Sequence, residues 1–166
     1  VKKTFTLILA SFVFSLVSYF IFNRFVLNRA FGRAALAVNS TSSLTVSLNG
    51  EILGKTPFYS DSQKAGESNL ILSSNESSFK TKIKLTDGAL TVVSYSLGPS
   101  EDFSEGEIIW LEKSKDSGSL LVISDPDETE VRLDDQLLGQ TPLSSRAIYS
   151  GDHALKISKD GYKSRT

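Results

Sequence analysis

Val46-Ser-Leu-Asn-Gly-Glu-Ile-Leu-Gly-Lys-Thr-Pro57 returns as Val131-Arg-Leu-Asp-Asp-Gln-Leu-Leu-Gly-Gln-Thr-Pro142, at an offset of 85 residues. The match extends without a gap, so that Leu36 falls on Leu121, Gly66 on Gly151, Leu70 on Leu155 and Ser73 on Ser158. A repeat of this kind means one supersecondary unit is used twice, and it decides the architecture before any local reading does. Inside the repeat, apolar and polar residues alternate, as in Val46-Ser-Leu48, Phe79-Lys-Thr-Lys-Ile83-Lys-Leu85 and Leu155-Lys-Ile157. That period of two belongs to half-buried strands.

The turns follow from the residues between those strands. Asn49-Gly50 is a type I′ hairpin signal, because both residues accept positive φ. Asp134-Asp135 takes its place in the second copy, where a looser turn or another type is expected. Gly54 and Gly139 end the next short strand, and Thr56-Pro57 and Thr141-Pro142 bend the chain out of the ladder, since proline has no donor. Gly66 and Gly151 then open longer strands. Between the copies, Ala89 to Leu97 and Glu107 to Leu111 read as two more strands, joined by a Gly98-Pro99 turn region. Lys113 to Gly118 reads as polar linker.

Ahead of the repeat, Thr4 to Phe22 carries no charge. As a helix, 19 such residues rise about 28 Å, close to the hydrocarbon thickness of a bilayer. The apolar run continues to Leu27 if Arg24 snorkels to the interface. The segment is expected to be a transmembrane helix over residues 4–27, in contact with membrane lipid. Its rival is a cleaved signal peptide ending at Ala35-Leu-Ala37, opposed by the length of the apolar run and by Arg24, Arg29 and Arg33 before the site. Lys2 and Lys3 precede the span and those arginines follow it, so charge does not set the orientation.

Composition removes several functions. The 166 residues carry a formal net charge of -1, which gives no electrostatic footprint for nucleic acid. There is no cysteine and one histidine, His153. Disulfides, thiolate metal sites and cysteine nucleophiles are excluded, and a His-based metal cage or a Ser-His-Asp triad is disfavoured. Asp125, Asp127, Glu128 and Glu130 cluster as calcium ligands do, but without the spaced series and glycine of an EF-hand. Asp134-Asp135 in a tight turn are expected to point apart into water. Trp110 could stack on a sugar, but reads first as a packing residue. No cofactor is expected.

The second copy resembles the PEGA domain. The resemblance rests on Leu121-Val-Ile-Ser124, Pro126, Val131-Arg-Leu-Asp134, Leu138-Gly139-Gln-Thr141-Pro142-Leu143, Gly151-Asp-His-Ala-Leu155 and Gly161-Tyr162. Of the four letters that give the family its name, only Pro126 is kept, the stretch reading Pro126-Asp-Glu-Thr129. The first copy departs further, with Thr41 at the proline position and no Gly-Tyr pair. The resemblance implies small β modules that lie outside the cytoplasmic membrane.

The expected architecture is all-β: two small PEGA-like β-sandwich modules in tandem after a single transmembrane helix. Residues 1–3 form a short basic start, 4–27 the helix, 34–112 the first module with an extra hairpin, 113–117 a linker, and 118–166 a second module expected to be cut short. The expected function is a non-enzymatic, single-pass cell-membrane protein whose modules serve as a surface spacer or bind a cell-surface protein. The alternatives are a glycan- or cell-wall-binding module, built on exposed aromatics such as Tyr59, Trp110, Tyr149 and Tyr162, and a piece of a larger enzyme or sensor whose working domain lies beyond residue 166.

Overall fold

The structure, a computed structural model, describes residues 13–21, 32–100, 103–113 and 118–166. Residues 13–21 are helical, and their apolar side chains are exposed. The rest of the predicted membrane span, residues 4–12 and 22–27, lies outside the described residues. Among the described residues no helix is long and apolar enough to cross a membrane. The other described residues form strands and the turns and loops between them, so the described chain is mostly β, consistent with an all-β class. It divides into two units, residues 1–112 and 113–166.

Among its described residues the first unit holds eight strands: β1 (Arg33–Asn39), β2 (Thr45–Leu48), β3 (Glu51–Lys55), β4 (Phe58–Lys64), β5 (Gly66–Ser73), β6 (Ser78–Leu85), β7 (Leu90–Ser96) and β8 (Glu105–Ile109). They form two four-stranded sheets, ordered β4-β1-β7-β8 and β3-β2-β5-β6. Alternation explains which faces meet. In β1, Ala34, Leu36 and Val38 are buried, and in β6 Ile83 and Leu85 are buried while Lys80, Lys82 and Lys84 face water. One hydrophobic core joins them to Leu44, Val46, Leu48, Leu70, Leu72 and Val93. Phe79 and Tyr95 stack at its margin, centroids 3.9 Å apart. The edge strands carry Glu51, Lys55, Asp61, Glu105 and Glu107, charges that discourage edge-to-edge pairing.

The second unit holds five strands: β9 (Gly118–Val122), β10 (Glu130–Leu133), β11 (Gln136–Gln140), β12 (Leu143–Ile148) and β13 (Leu155–Ser158). They pair as β12-β9 and β11-β10-β13. The hairpin register repeats that of the first unit. Val131 lies opposite Gly139 as Val46 lies opposite Gly54, with a bulge directly after each valine. Val131 also faces Ile157 as Val46 faces Leu72.

The first strand of the unit corrects the ungapped alignment. Leu36 pairs with Ser60, but Ser145, the counterpart of Ser60, pairs with Leu120 and not Leu121. β9 therefore sits one residue out of the 85-residue offset: Val122 pairs with Leu143 as Val38 pairs with Phe58, and the run from Val122 to Val131 is one residue longer than the run from Val38 to Val46. A slip of one residue turns every side chain to the other face. Val122 is buried, whereas Leu121 is 63% exposed and Ile123 72% exposed. The extra residue lies in the loop that follows β9, where Glu128 takes a φ of 54°.

Candidate functional site

The residues singled out in the sequence build one frame, twice. Asn49 (φ 52°) and Gly50 (φ 87°) form the first hairpin turn. Asp134 (φ 51°) and Asp135 (φ 64°) form the second, so the looser turn expected there is not observed. The type is the same because the β10-β11 register demands positive φ at both positions, and aspartate tolerates it better than most residues. Gly54 and Gly139 sit at the bulges, where a Cβ would come within 3.4 Å of the Phe58 ring and 3.3 Å of the Leu143 side chain. Each glycine thus lets the residue after the bend lie over its strand.

The bend itself is held by a buried threonine. In the first unit the Leu44 N–H donates to Thr56 Oγ1 at 2.9 Å, and the Thr56 hydroxyl donates to the Ser42 carbonyl at 2.9 Å. In the second, the Thr129 N–H donates to Thr141 Oγ1 at 3.0 Å. The longer loop adds a relay there. The Thr141 and Ser124 hydroxyls lie 2.6 Å apart, and Ser124 donates to the Pro126 carbonyl at 2.6 Å, so Thr141 supplies the proton to Ser124. Thr129 reaches the same carbonyl at 2.9 Å. Pro57 and Pro142 each follow a cis bond directly after the threonine. Gly66 opens β5 at φ 134°, and Gly151 takes φ 148° ahead of β13. Gly161 (φ 83°) and Tyr162 form a turn in which the Tyr162 N–H donates to Lys159 O at 3.1 Å. These are structural positions, and they fix where the exposed groups stand.

One polar pair differs between the copies. In the first, Asn49 accepts from the Asn69 N–H at 2.8 Å and its amide reaches the buried Ser68 hydroxyl at 3.2 Å. In the second, Asp134 accepts from the Ala154 N–H at 2.8 Å and meets His153 Nδ1 at 2.6 Å. His153 Nε2 lies 2.7 Å from the Tyr149 carbonyl. Both partners of the ring can only accept, so the doubly protonated imidazolium satisfies both contacts. Asp134 first, and then the Tyr149 carbonyl, hold His153 above the usual histidine range. His153 first, and then the Ala154 N–H, hold Asp134 below the usual carboxylate range. This pair was not anticipated as a unit. Its signal was the alignment of Asn49 with Asp134 and of Ser68 with His153. His153 precedes β13 by two residues.

Beside that pair runs a groove of about 240 Å³, lined by Leu133, Gln136, Leu138, Ser145, Ile148 and Tyr149 among others. The Tyr149 ring is 86% exposed. Trp110 lies just past β8 and is 37% exposed, outside the core cluster, so it is not a core residue of the first unit. Its indole N–H donates to Glu112 at 3.3 Å, and Lys84 pairs with the same carboxylate at 2.8 Å. Lys84 first, and then Trp110, hold the Glu112 carboxyl low. Among the described residues no group of three or more histidine, aspartate or glutamate side chains is placed to hold a metal ion. Of the carboxylates at 125–130, Glu130 instead pairs with Arg132 at 2.6 Å.

No curated protein and no solved structure matches the chain significantly. The family comparison reaches the second unit, which carries the buried threonine bend and the hairpin together: residues 117–166 match the PEGA domain, and a PEGA domain therefore occupies that part of the chain.

Proposed function

We propose that this protein is a non-enzymatic, membrane-anchored protein that holds two PEGA-type β modules outside the cytoplasm, as a spacer and an interaction surface. The observation that carries the reading is the frame used twice: the same hairpin register, bulge and buried threonine bend occur in the PEGA domain and in the unit before it. Tandem use of one small β frame suits spacing and binding, because each copy presents its edges and loops at a fixed interval along the chain. Support for the anchor is the helix over residues 13–21, whose apolar side chains are exposed. Such a surface is stable in lipid. The experiment is protease shaving of intact cells that express the full chain. Loss of the region after Arg33, with a cytoplasmic control intact, is the expected result. Protection of both would overturn the placement.

A second reading has one observation in its favour. The groove of the PEGA domain joins hydrogen-bonding groups of Asp134, Gln136 and His153 to an exposed Tyr149 ring, a combination that suits a sugar. Retention of residues 34–166 on purified cell-wall polymer, lost in Tyr149→Ala, would support it. Retention equal to a buffer control would remove it.

A further inference from the structure

The two sheets of the first unit turn different faces outward. In β1, Ala34, Leu36 and Val38 point into the core, so Ala35 and Ala37 point out. Register carries that outer face across the sheet. Ala37 lies opposite Tyr59 of β4 and beside Val92 of β7, and Val92 lies opposite Ile109 of β8. Ala35 lies beside Leu90. Two apolar rows therefore cross the outside of the sheet, and Tyr59, Leu90 and Ile109 are exposed there. The outer face of the other sheet is charged instead. Lys80, Lys82 and Lys84 alternate along β6, and Asn69 and Glu67 lie opposite the last two.

The apolar rows lie toward one end of the sheet. Arg33 pairs with Lys64 where β1 begins, and the apolar rows come next. Ser94 with Glu107 and Ser96 with Glu105 complete the face at the far end. The near end is also where the uncharged segment joins the unit. With the expected span ending at Leu27, the six residues on to Arg33 reach at most about 20 Å. The apolar half of the face is thus tethered within reach of the headgroups. Trp110 directly follows Ile109, with its indole N–H on Glu112. Tryptophan and tyrosine are the side chains enriched at a membrane–water interface.

We propose that the outer face of the β4-β1-β7-β8 sheet rests on the surface of the bilayer, with Tyr59, Leu90 and Ile109 in the boundary between headgroups and acyl chains. Exposed apolar side chains are ordinary when scattered, but these share rows and form one patch. Binding of this kind grows with the apolar area buried, and lipid charge adds to it only where the protein face carries a net charge. Arg33 and Lys64 stand near Asp61 of β4 and Asp87 of the turn before β7, so cations and carboxylates balance at that end. Apolar contact therefore carries the attachment, and anionic lipid is not required. This orientation rests on the membrane-anchored reading and adds to it the face that the first unit turns to the lipid.

The test uses the full chain in phosphatidylcholine vesicles, with lipid brominated close to the headgroup as a quencher. Trp110 is the only tryptophan, so its emission reports on this end of the face. The expected result is quenching by about twofold or more, as for a ring at the interface, and the same with added anionic lipid. Ile109→Glu and Tyr59→Glu, on opposite edges of the sheet, should each reduce it, whereas Ile52→Glu, an exposed position of the other sheet, should not. Retention of the chain on the vesicles through an alkaline wash reads the anchor separately. Retention without quenching would overturn the proposal and leave the anchor standing, and no retention would remove both. Quenching that survives Ile109→Glu and Tyr59→Glu would overturn it, because another surface would then face the lipid. An emission shift in detergent that grows with protein concentration would assign the face to a second copy of the chain and overturn it as well.

Discussion

The hairpin of the first unit and the hairpin of the second share turn type, register and bulge, yet among the described residues one stands in two four-stranded sheets and the other in a three-stranded and a two-stranded sheet. Around β2, the core takes in residues from β1, β5, β6 and β7, and Val46, Leu70 and Leu72 reach zero exposure. Around β10, among the residues whose burial is described, Val131 alone does so. The shared frame is therefore local in origin, set by turn residues, a bulge glycine and a buried threonine. Depth of burial is a matter of how many strands flank that frame. The same sequence pattern yields a stable core in one place and a half-exposed apolar face in the other.

The largest effect that separates the two units is expected in their cores. Leu72→Ala removes a fully buried side chain and should destabilise the first unit by about 2–5 kcal/mol. Ile157→Ala, at the half-buried counterpart, should cost the second unit about 1–2 kcal/mol. Trp110 is the only tryptophan and lies in the first unit, so its fluorescence follows that unit, while amide signals follow the other. Equal losses would break the comparison.

Next come the threonine bends, where the units should agree. Thr56→Val strands the Leu44 N–H, and Thr141→Val strands the Thr129 N–H, each at about 1–3 kcal/mol in denaturant unfolding. A large cost in one copy and none in the other would show that the shared frame is not what holds both. A smaller effect is expected at the turns. Asp135→Gly gives the second hairpin the glycine that the first has at Gly50, and relieves an L-residue at φ 64°. The second unit should gain up to about 1 kcal/mol in thermal unfolding.

The smallest effect is one of pH, and only the second unit should show it. His153 is raised by Asp134, so its contribution is complete below the ordinary histidine value near ~6.5 and is lost as pH rises through the raised value. Asp134 is lowered by His153, so its contribution is complete above the ordinary carboxylate value near ~3.9 and is lost as pH falls through the lowered value. The second unit should be most stable between those limits. His153→Ser, which installs the residue found at Ser68, should flatten the alkaline side of its pH profile. An unchanged profile would show that the pair does not act on stability.

Much of this was legible in the sequence. Positions such as Val46, Gly54 and Thr56 recur with Val131, Gly139 and Thr141, and local turn chemistry turned them into the observed hairpins. The register of β9 was not legible. Leu120, Leu121, Val122 and Ile123 are all apolar, so alternation gives no phase, and only the pairing of β9 with β12 shows which of them face inward. Nor was the Asp134–His153 pair visible residue by residue. A lone histidine beside a glycine turn reads as solvent-exposed until the hairpin turn of the same unit brings a carboxylate to it.

The central claim is that the two units share a frame and differ in the strands that close it. Residue-resolved amide exchange on the full chain tests it most directly. The account predicts strong protection for β1 and β5, comparable protection for β10 and its counterpart β2, and exchange at least about tenfold faster in β9 and β13 than in β1 and β5. Equal protection of β9 and β1 in the isolated chain would contradict it.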